Sequence, residues 1–213
     1  MSTLSTLFSD PWMFLVFVIV FLVTLSVHEF SHALAGHLLG DPTAERANRL
    51  TLNPLAHVDL IGFLALITVG FGWGKPVPFN PYKHKYRRWG SAIVAAAGPL
   101  SNLIFGTICA LLVRVVNPIL GSNNLLVVFL VSAAFLNFLL MIFNLIPLPP
   151  LDGSKALLGI LAAEKYRPFR NWIETRGPMV LMSLIILDVF LNLGIFSWIS
   201  VAARALLSFF LGA

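Results

Sequence analysis

Cysteine is almost absent from this chain: Cys109 is the only one in 213 residues. A disulfide within the chain, a thiolate metal cluster and a C-x-x-C redox pair are therefore excluded. Charge is scarce as well. Asp, Glu, Lys and Arg together make up 11% of residues, whereas 58% are hydrophobic and the mean hydropathy is +0.90. This balance lies far outside the soluble globular range and leaves no room for a large soluble module. The chain reads as an all-α polytopic membrane protein forming one integral-membrane domain over residues 1–213. Its net charge of +5 comes from a few basic loops, so it speaks for orientation in a lipid bilayer and not for nucleic-acid binding. Basic residues are also missing where a secretory leader needs them. Residues 12–27 resemble a signal-peptide core and Ala33-Leu34-Ala35 a cleavage site, but Met1–Pro11 holds no Lys or Arg. The first segment therefore reads as a retained helix.

Continuous apolar runs occupy residues 12–39, 90–116, 124–147 and 178–193, with a weaker run at 195–211. Most approach the ~20 residues that cross a hydrocarbon core, so about five transmembrane helices are expected. Residues 50–74 differ. Asn53-Pro54 opens the stretch, and Gly62, Gly70, Gly72 and Gly74 interrupt it, a pattern that suits a re-entrant, partly β segment buried in protein. Arg46, Arg49, Lys75, Lys83, Lys85, Arg87 and Arg88 flank that segment on both sides, and Lys155, Lys165, Arg167, Arg170 and Arg176 form a second basic loop. Residues 117–123 carry no Lys or Arg. The positive-inside rule then puts 40–89 and 152–177 in the cytoplasm and 117–123 outside. Both flanks of the glycine-interrupted stretch share a side only if it dips in and returns.

Against this background stands His28-Glu29-Phe30-Ser31-His32, in the second half of the first apolar run. Four residues apart on a helix, the two histidines project from one face and can reach one metal ion. Glu29, one position on, can polarise water at that metal without being a ligand. Ionisable groups inside a membrane are costly and mark function by default.

A catalytic zinc takes three protein ligands and keeps one position open, and with no cysteine available the third must be N or O. His37 lies roughly 140° around the helix from His32 and is poorly placed. His57 is possible, and His84 sits in a basic loop where solvation is expected. Asp152 ends the run Asn144-Leu145-Ile146-Pro147-Leu148-Pro149-Pro150-Leu151-Asp152-Gly153 at the same predicted depth as the histidines. Prolines that open a helix end let a carboxylate turn inward, and Gly153 permits close backbone approach. The competing role for Asp152 is an N-cap on a helix over 153–163. Asp59 is the reserve ligand, and Asp188 is a lone acid near the end of the 178–193 run.

With these motifs the chain resembles the site-2 protease family of intramembrane zinc metalloproteases, in its compact bacterial and archaeal form without PDZ or CBS modules. The resemblance covers nearly the whole length. It rests on His28–His32, on Asn144, Pro147, Asp152 and Gly153, and on Asn53-Pro54-Leu55-Ala56-His57, Gly72-Trp73-Gly74-Lys75-Pro76-Val77-Pro78 and Gly98-Pro99-Leu100-Ser101-Asn102. It implies one Zn2+ per chain held by His28, His32 and Asp152, with Glu29 as general base. It also implies that Asn102 and Asn144 lie near the substrate or the developing oxyanion. The substrate class it implies is a transmembrane segment of another protein or peptide in the prokaryotic cell membrane, cut from a site facing the cytoplasm. Gly70, Gly72 and Gly74 are candidates to pair with substrate as an extended strand, with tight turning as the plainer alternative. A metal transporter or sensor using the same three ligands is the second reading, although it has no evident need for Glu29. Substrate identity and oligomeric state are not encoded in any motif.

Overall fold

A computed structural model of the protein describes residues 9–70, 72–83, 85–86 and 89–212. His84, Arg87 and Arg88 lie outside them. Seven helices of eight residues or more make up most of the described chain: α1 (Pro11–Leu38), α2 (Leu60–Val69), α3 (Gly90–Leu120), α4 (Leu125–Asn144), α5 (Gly153–Ile160), α6 (Arg167–Leu191) and α7 (Ser197–Leu211). Asp10 caps α1, its Oδ1 accepting from Met13 N–H at 3.1 Å, and Asn124 caps α4 through Leu126 N–H. Among the described residues three helices are long and apolar enough to span a bilayer: α1, α3 and α4. The other two spans expected from sequence are of a different kind. The apolar part of α6 begins only after Arg176-Gly177-Pro178, and α7 has 15 residues.

The bundle core forms where α3, α4, α1 and α7 meet. Cys109, Ala110, Val113, Val127, Leu130, Ala133, Ala134, Phe138, Val20 and Ala203 are buried there. Water-driven burial offers little between helices in lipid, so the small residues matter: Ala110, Ala134 and Ala203 let neighbouring backbones approach until dispersion contacts hold them. Gly106 of α3 serves the same end. A methyl group on it would lie 2.9 Å from Phe138 Cε1 and 3.1 Å from Asn137 Cβ of α4. Phe138 in turn stacks on Phe210 of α7, with ring centroids 5.6 Å apart.

The glycine-interrupted stretch closes on itself. Arg49 donates to the carbonyl of Lys75, Lys75 N–H donates to His57 O at 2.8 Å, and Val58 and Gly74 form one antiparallel bridge. Both flanks of 50–74 therefore lie side by side. Between them α2 has ten residues, a rise of about 15 Å against the roughly 30 Å of a hydrocarbon core. Asp59, the reserve ligand, instead caps α2 by accepting from Gly62 N–H at 2.8 Å, and Gly70 ends the helix at φ +82. The expected β character reduces to that single bridge among the described residues, because Leu60–Val69, largely apolar, satisfies its own backbone as helix. Arg49, grouped above with surface charges, is buried.

Asp188 accepts from Ile195 N–H at 2.6 Å and so closes the α6–α7 turn. A leucine at Gly106 forces α3 away from α4. Gly106→Leu is expected to lower stability by about 1–3 kcal/mol, read as an earlier thermal unfolding midpoint in detergent, whereas Ile104→Leu on the exposed side of α3 leaves it unchanged.

Candidate metal centre

His28 and His32 lie on the face of α1 that turns toward α3, and both are buried. Their Nε2 atoms are 3.0 Å apart. Asp152 Oδ2 lies 3.3 Å from His28 Nε2 and 3.2 Å from His32 Nε2. The three atoms thus form a near-equilateral triangle. Zinc bonds of about 2.0–2.1 Å in a tetrahedron separate ligand atoms by roughly 3.3 Å, so the triangle has the size of one tetrahedral face. Asp152 Oδ2 is also buried without a satisfied hydrogen bond among the described residues. Two imidazole nitrogens and a carboxylate oxygen converging on one point are the donor set a divalent cation requires, and these residues fit one.

Asp152 reaches this place by the folding of the chain after α4. Leu148 N–H donates to Ile146 O at 2.8 Å and Leu151 N–H to Leu148 O at 3.0 Å, while the Pro149–Pro150 peptide is cis. A methyl on Gly153 would lie 2.3 Å from Leu145 O, so only glycine lets the segment fold back on the end of α4. Leu151 anchors it by packing with Leu181 and Ile185 of α6. The competing N-cap role is not taken: Asp152 precedes α5, but its side chain makes no capping hydrogen bond. Burial acts against the Asp152 carboxylate, yet the adjacent His28 and His32 outweigh it and hold its pKa down at about 2.

The helix opposite is shaped for the imidazoles. A methyl on Gly98 would sit 2.3 Å from His32 Nε2 and 2.6 Å from His28 Cε1, so α3 meets both rings with bare backbone. His32 Nδ1 lies 2.8 Å from Val94 O, which accepts its hydrogen and leaves Nε2 to face the cation. Pro99 interrupts the helix ladder close by, since it has no N–H for the Ala95 carbonyl. Asn102, fully buried, contacts His28 Nδ1 at 3.1 Å. Glu29 is buried beside the histidines, and its Oε2 has no hydrogen-bond partner among the described residues.

Other residues marked in the sequence lie elsewhere. His37 Nδ1 pairs with Glu45 Oε2 at 3.1 Å, and His57 Nε2 bonds Thr51 O at 2.7 Å. Asn144 donates to Leu140 O of its own helix at 3.1 Å and is not drawn to the three donor atoms. Gly72 packs against Gly62 and Leu66, and Gly74 against Leu25, one turn before Glu29 on α1. Sequence reasoning overlooked Asn137, which donates to Thr24 Oγ1 at 2.9 Å one turn along α1 from His28. Its signal was available: a lone carboxamide in an apolar helix needs a partner.

Comparison with known proteins fits this arrangement. The chain is 37% identical to YwhC of Bacillus subtilis (strain 168) over 79% of each chain; that protein is provisionally named a zinc metalloprotease. The chain belongs to peptidase family M50. The M50 model itself matches residues 120–187, which include α4, the proline run and Asp152. Rip2 of Mycolicibacterium smegmatis, with the same provisional name, is 32% identical over 80% of this chain and 68% of its own. Rip2 of Mycobacterium tuberculosis H37Rv is 34% identical over 71% and 61% respectively. No solved structure matches. M50 is the site-2 protease family, so the chain is a multi-pass membrane zinc metalloprotease.

One measurement tests the centre. Gly98→Ala is expected to reduce zinc retained after purification by at least about tenfold while α-helical circular dichroism is kept; full retention contradicts the contact.

Proposed function

We propose that this zinc metalloprotease hydrolyses peptide bonds in or near transmembrane segments of other membrane proteins, with Glu29 as general base and His28, His32 and Asp152 as the zinc ligands. The observation that carries this reading is the triangle of Nε2, Nε2 and Oδ2 atoms 3.0–3.3 Å apart, beside a buried glutamate whose Oε2 has no hydrogen-bond partner among the described residues. Zinc held there supplies a Lewis acid that acidifies water and polarises the scissile carbonyl. Glu29 Oε2 takes a proton from the attacking water as its oxygen bonds to the carbonyl carbon, and gives that proton to the leaving amine as the C–N bond breaks. Asn144 turns its N–H from Leu140 O toward the substrate oxygen as it gains charge. His28 and His32 stay in place because their rings are packed against Gly98.

A helical substrate has its carbonyls engaged in its own hydrogen bonds, so it must be extended before attack. The backbone around Gly70, Gly72 and Gly74 offers an edge for such a strand, supported by the position of Gly74 against Leu25, one turn from Glu29. In the five-span reading α6 and α7 also cross the bilayer, and residues 50–74 dip in and return on the cytoplasmic side. The adjoining flanks at Arg49 and Lys75 and the basic loops support that reading. It also puts the catalytic groups near the cytoplasmic face of the cell membrane, in a single domain spanning residues 1–213.

A transporter using the same ligands leaves Glu29 without a task. Glu29→Gln separates the two: it is expected to keep stoichiometric zinc and lose about 10²–10⁴ of cleavage of a single-pass test substrate in detergent. Asp152→Ala is expected to lose both zinc and cleavage. Undiminished cleavage by Glu29→Gln removes the assigned base.

A further inference from the structure

We infer that Asn102 is a positioning residue for His28, and that its side-chain carbonyl, not its amide, faces His28 Nδ1 when zinc is bound. The inference rests on the zinc reading above and assigns Asn102 a task other than holding an oxyanion.

An imidazole that gives its Nε2 lone pair to a metal carries its hydrogen on Nδ1, and that N–H needs an acceptor. His32 has one in Val94 O at 2.8 Å. Among the described residues the hydrogen-bond contact of His28 Nδ1 is with Asn102, whose Nδ2 lies 3.1 Å away. With the amide in that orientation the ring hydrogen is driven to Nε2, where it points at His32 Nε2 and Asp152 Oδ2. It also leaves Asn102 Oδ1 fully buried with no partner among the described residues. Oxygen and nitrogen of a carboxamide have nearly the same shape, so hydrogen bonding decides between the two orientations. A half-turn about the final side-chain bond directs Oδ1 to the His28 N–H and leaves Nε2 free for the cation.

The amide then needs acceptors of its own. Asn137 Oδ1 is buried and equally without a partner among the described residues. It lies on α4, where α4 packs against Gly106, one helical turn after Asn102 on α3. Asn137 is itself tied to Thr24, four residues before His28 on α1. The buried carboxamides of Asn102 and Asn137 thus stand on adjoining turns of the α3–α4 contact, each joined to α1, one at His28 and the other at Thr24.

Zinc affinity, measured by chelator competition on the purified full-length protein in detergent, tests this. Asn102→Asp keeps the shape and can only accept when ionised; Asn102→Leu keeps the bulk and can do neither. Asn102→Asp is expected to stay within a few-fold of the parent, while Asn102→Leu weakens zinc by about 10–100-fold. Asn102→Ser, a small acceptor, is expected to fall between them and serves if Asn102→Asp does not accumulate. Metal-free thermal unfolding identifies any loss that comes from packing alone. Equal losses in Asn102→Asp and Asn102→Leu, or no loss in Asn102→Leu, overturn the inference. A His28→Ala control separates the two layers: if it binds zinc as well as the parent, the ligand assignment itself falls.

Discussion

Two imidazoles and a carboxylate held about 3 Å apart inside an apolar bundle are the constraint around which this protein is organised. Burial strips each group of water, which is tolerable only where a cation and outer hydrogen bonds replace the lost solvation. The fold meets this demand from three directions. The face of α1 supplies both imidazoles, α3 supplies bare backbone at Gly98 together with Val94 O and Asn102, and the chain after α4 supplies the carboxylate. None of the three is sufficient alone. The histidine spacing fixes only one edge of the triangle, and the other two depend on where the proline run delivers Asp152.

That delivery explains features which otherwise look unrelated. Gly153 is needed because the chain folds back onto the Leu145 carbonyl, and Leu151 pins the segment to α6. Gly177 of α6 comes so close to Pro149 that a methyl there would lie 2.8 Å from the proline ring. Helix α6 is thus packed directly on the segment bearing the carboxylate. The 50–74 stretch makes its own contribution. Its two flanks are joined through Arg49, Lys75 and His57, and Gly74 packs against α1 one turn from Glu29.

Much of this is legible in the amino-acid sequence, for physical reasons that differ by element. The α1 site is a local pattern: helical geometry alone puts positions 28 and 32 on one face. Apolar runs mark the helices, but only their apolar parts. The 178–193 run is the second half of α6, whose first half carries Arg170, Glu174 and Arg176 and starts at Arg167 behind Pro168. The 90–116 run stops short of Leu120 because Asn117-Pro118 looks like a terminus, although the last turn tolerates that proline. Glycine punctuation in 50–74 suggests strand, whereas the largely apolar Leu60–Val69, with Gly62 inside it, folds as α2. What the sequence does not reveal is tertiary. The approach of Gly98 to both rings, the burial of Arg49 and the contact of Asn102 with His28 each join segments more than 20 residues apart.

The central claim is that zinc is held by two imidazoles and one carboxylate with no sulfur. Zinc K-edge X-ray absorption on the purified protein tests it most directly. The account predicts a first shell of N and O atoms at about 2.0–2.1 Å, with the outer-shell scattering of two imidazole rings. Scattering from one ring or none, or a sulfur at about 2.3 Å, would contradict it.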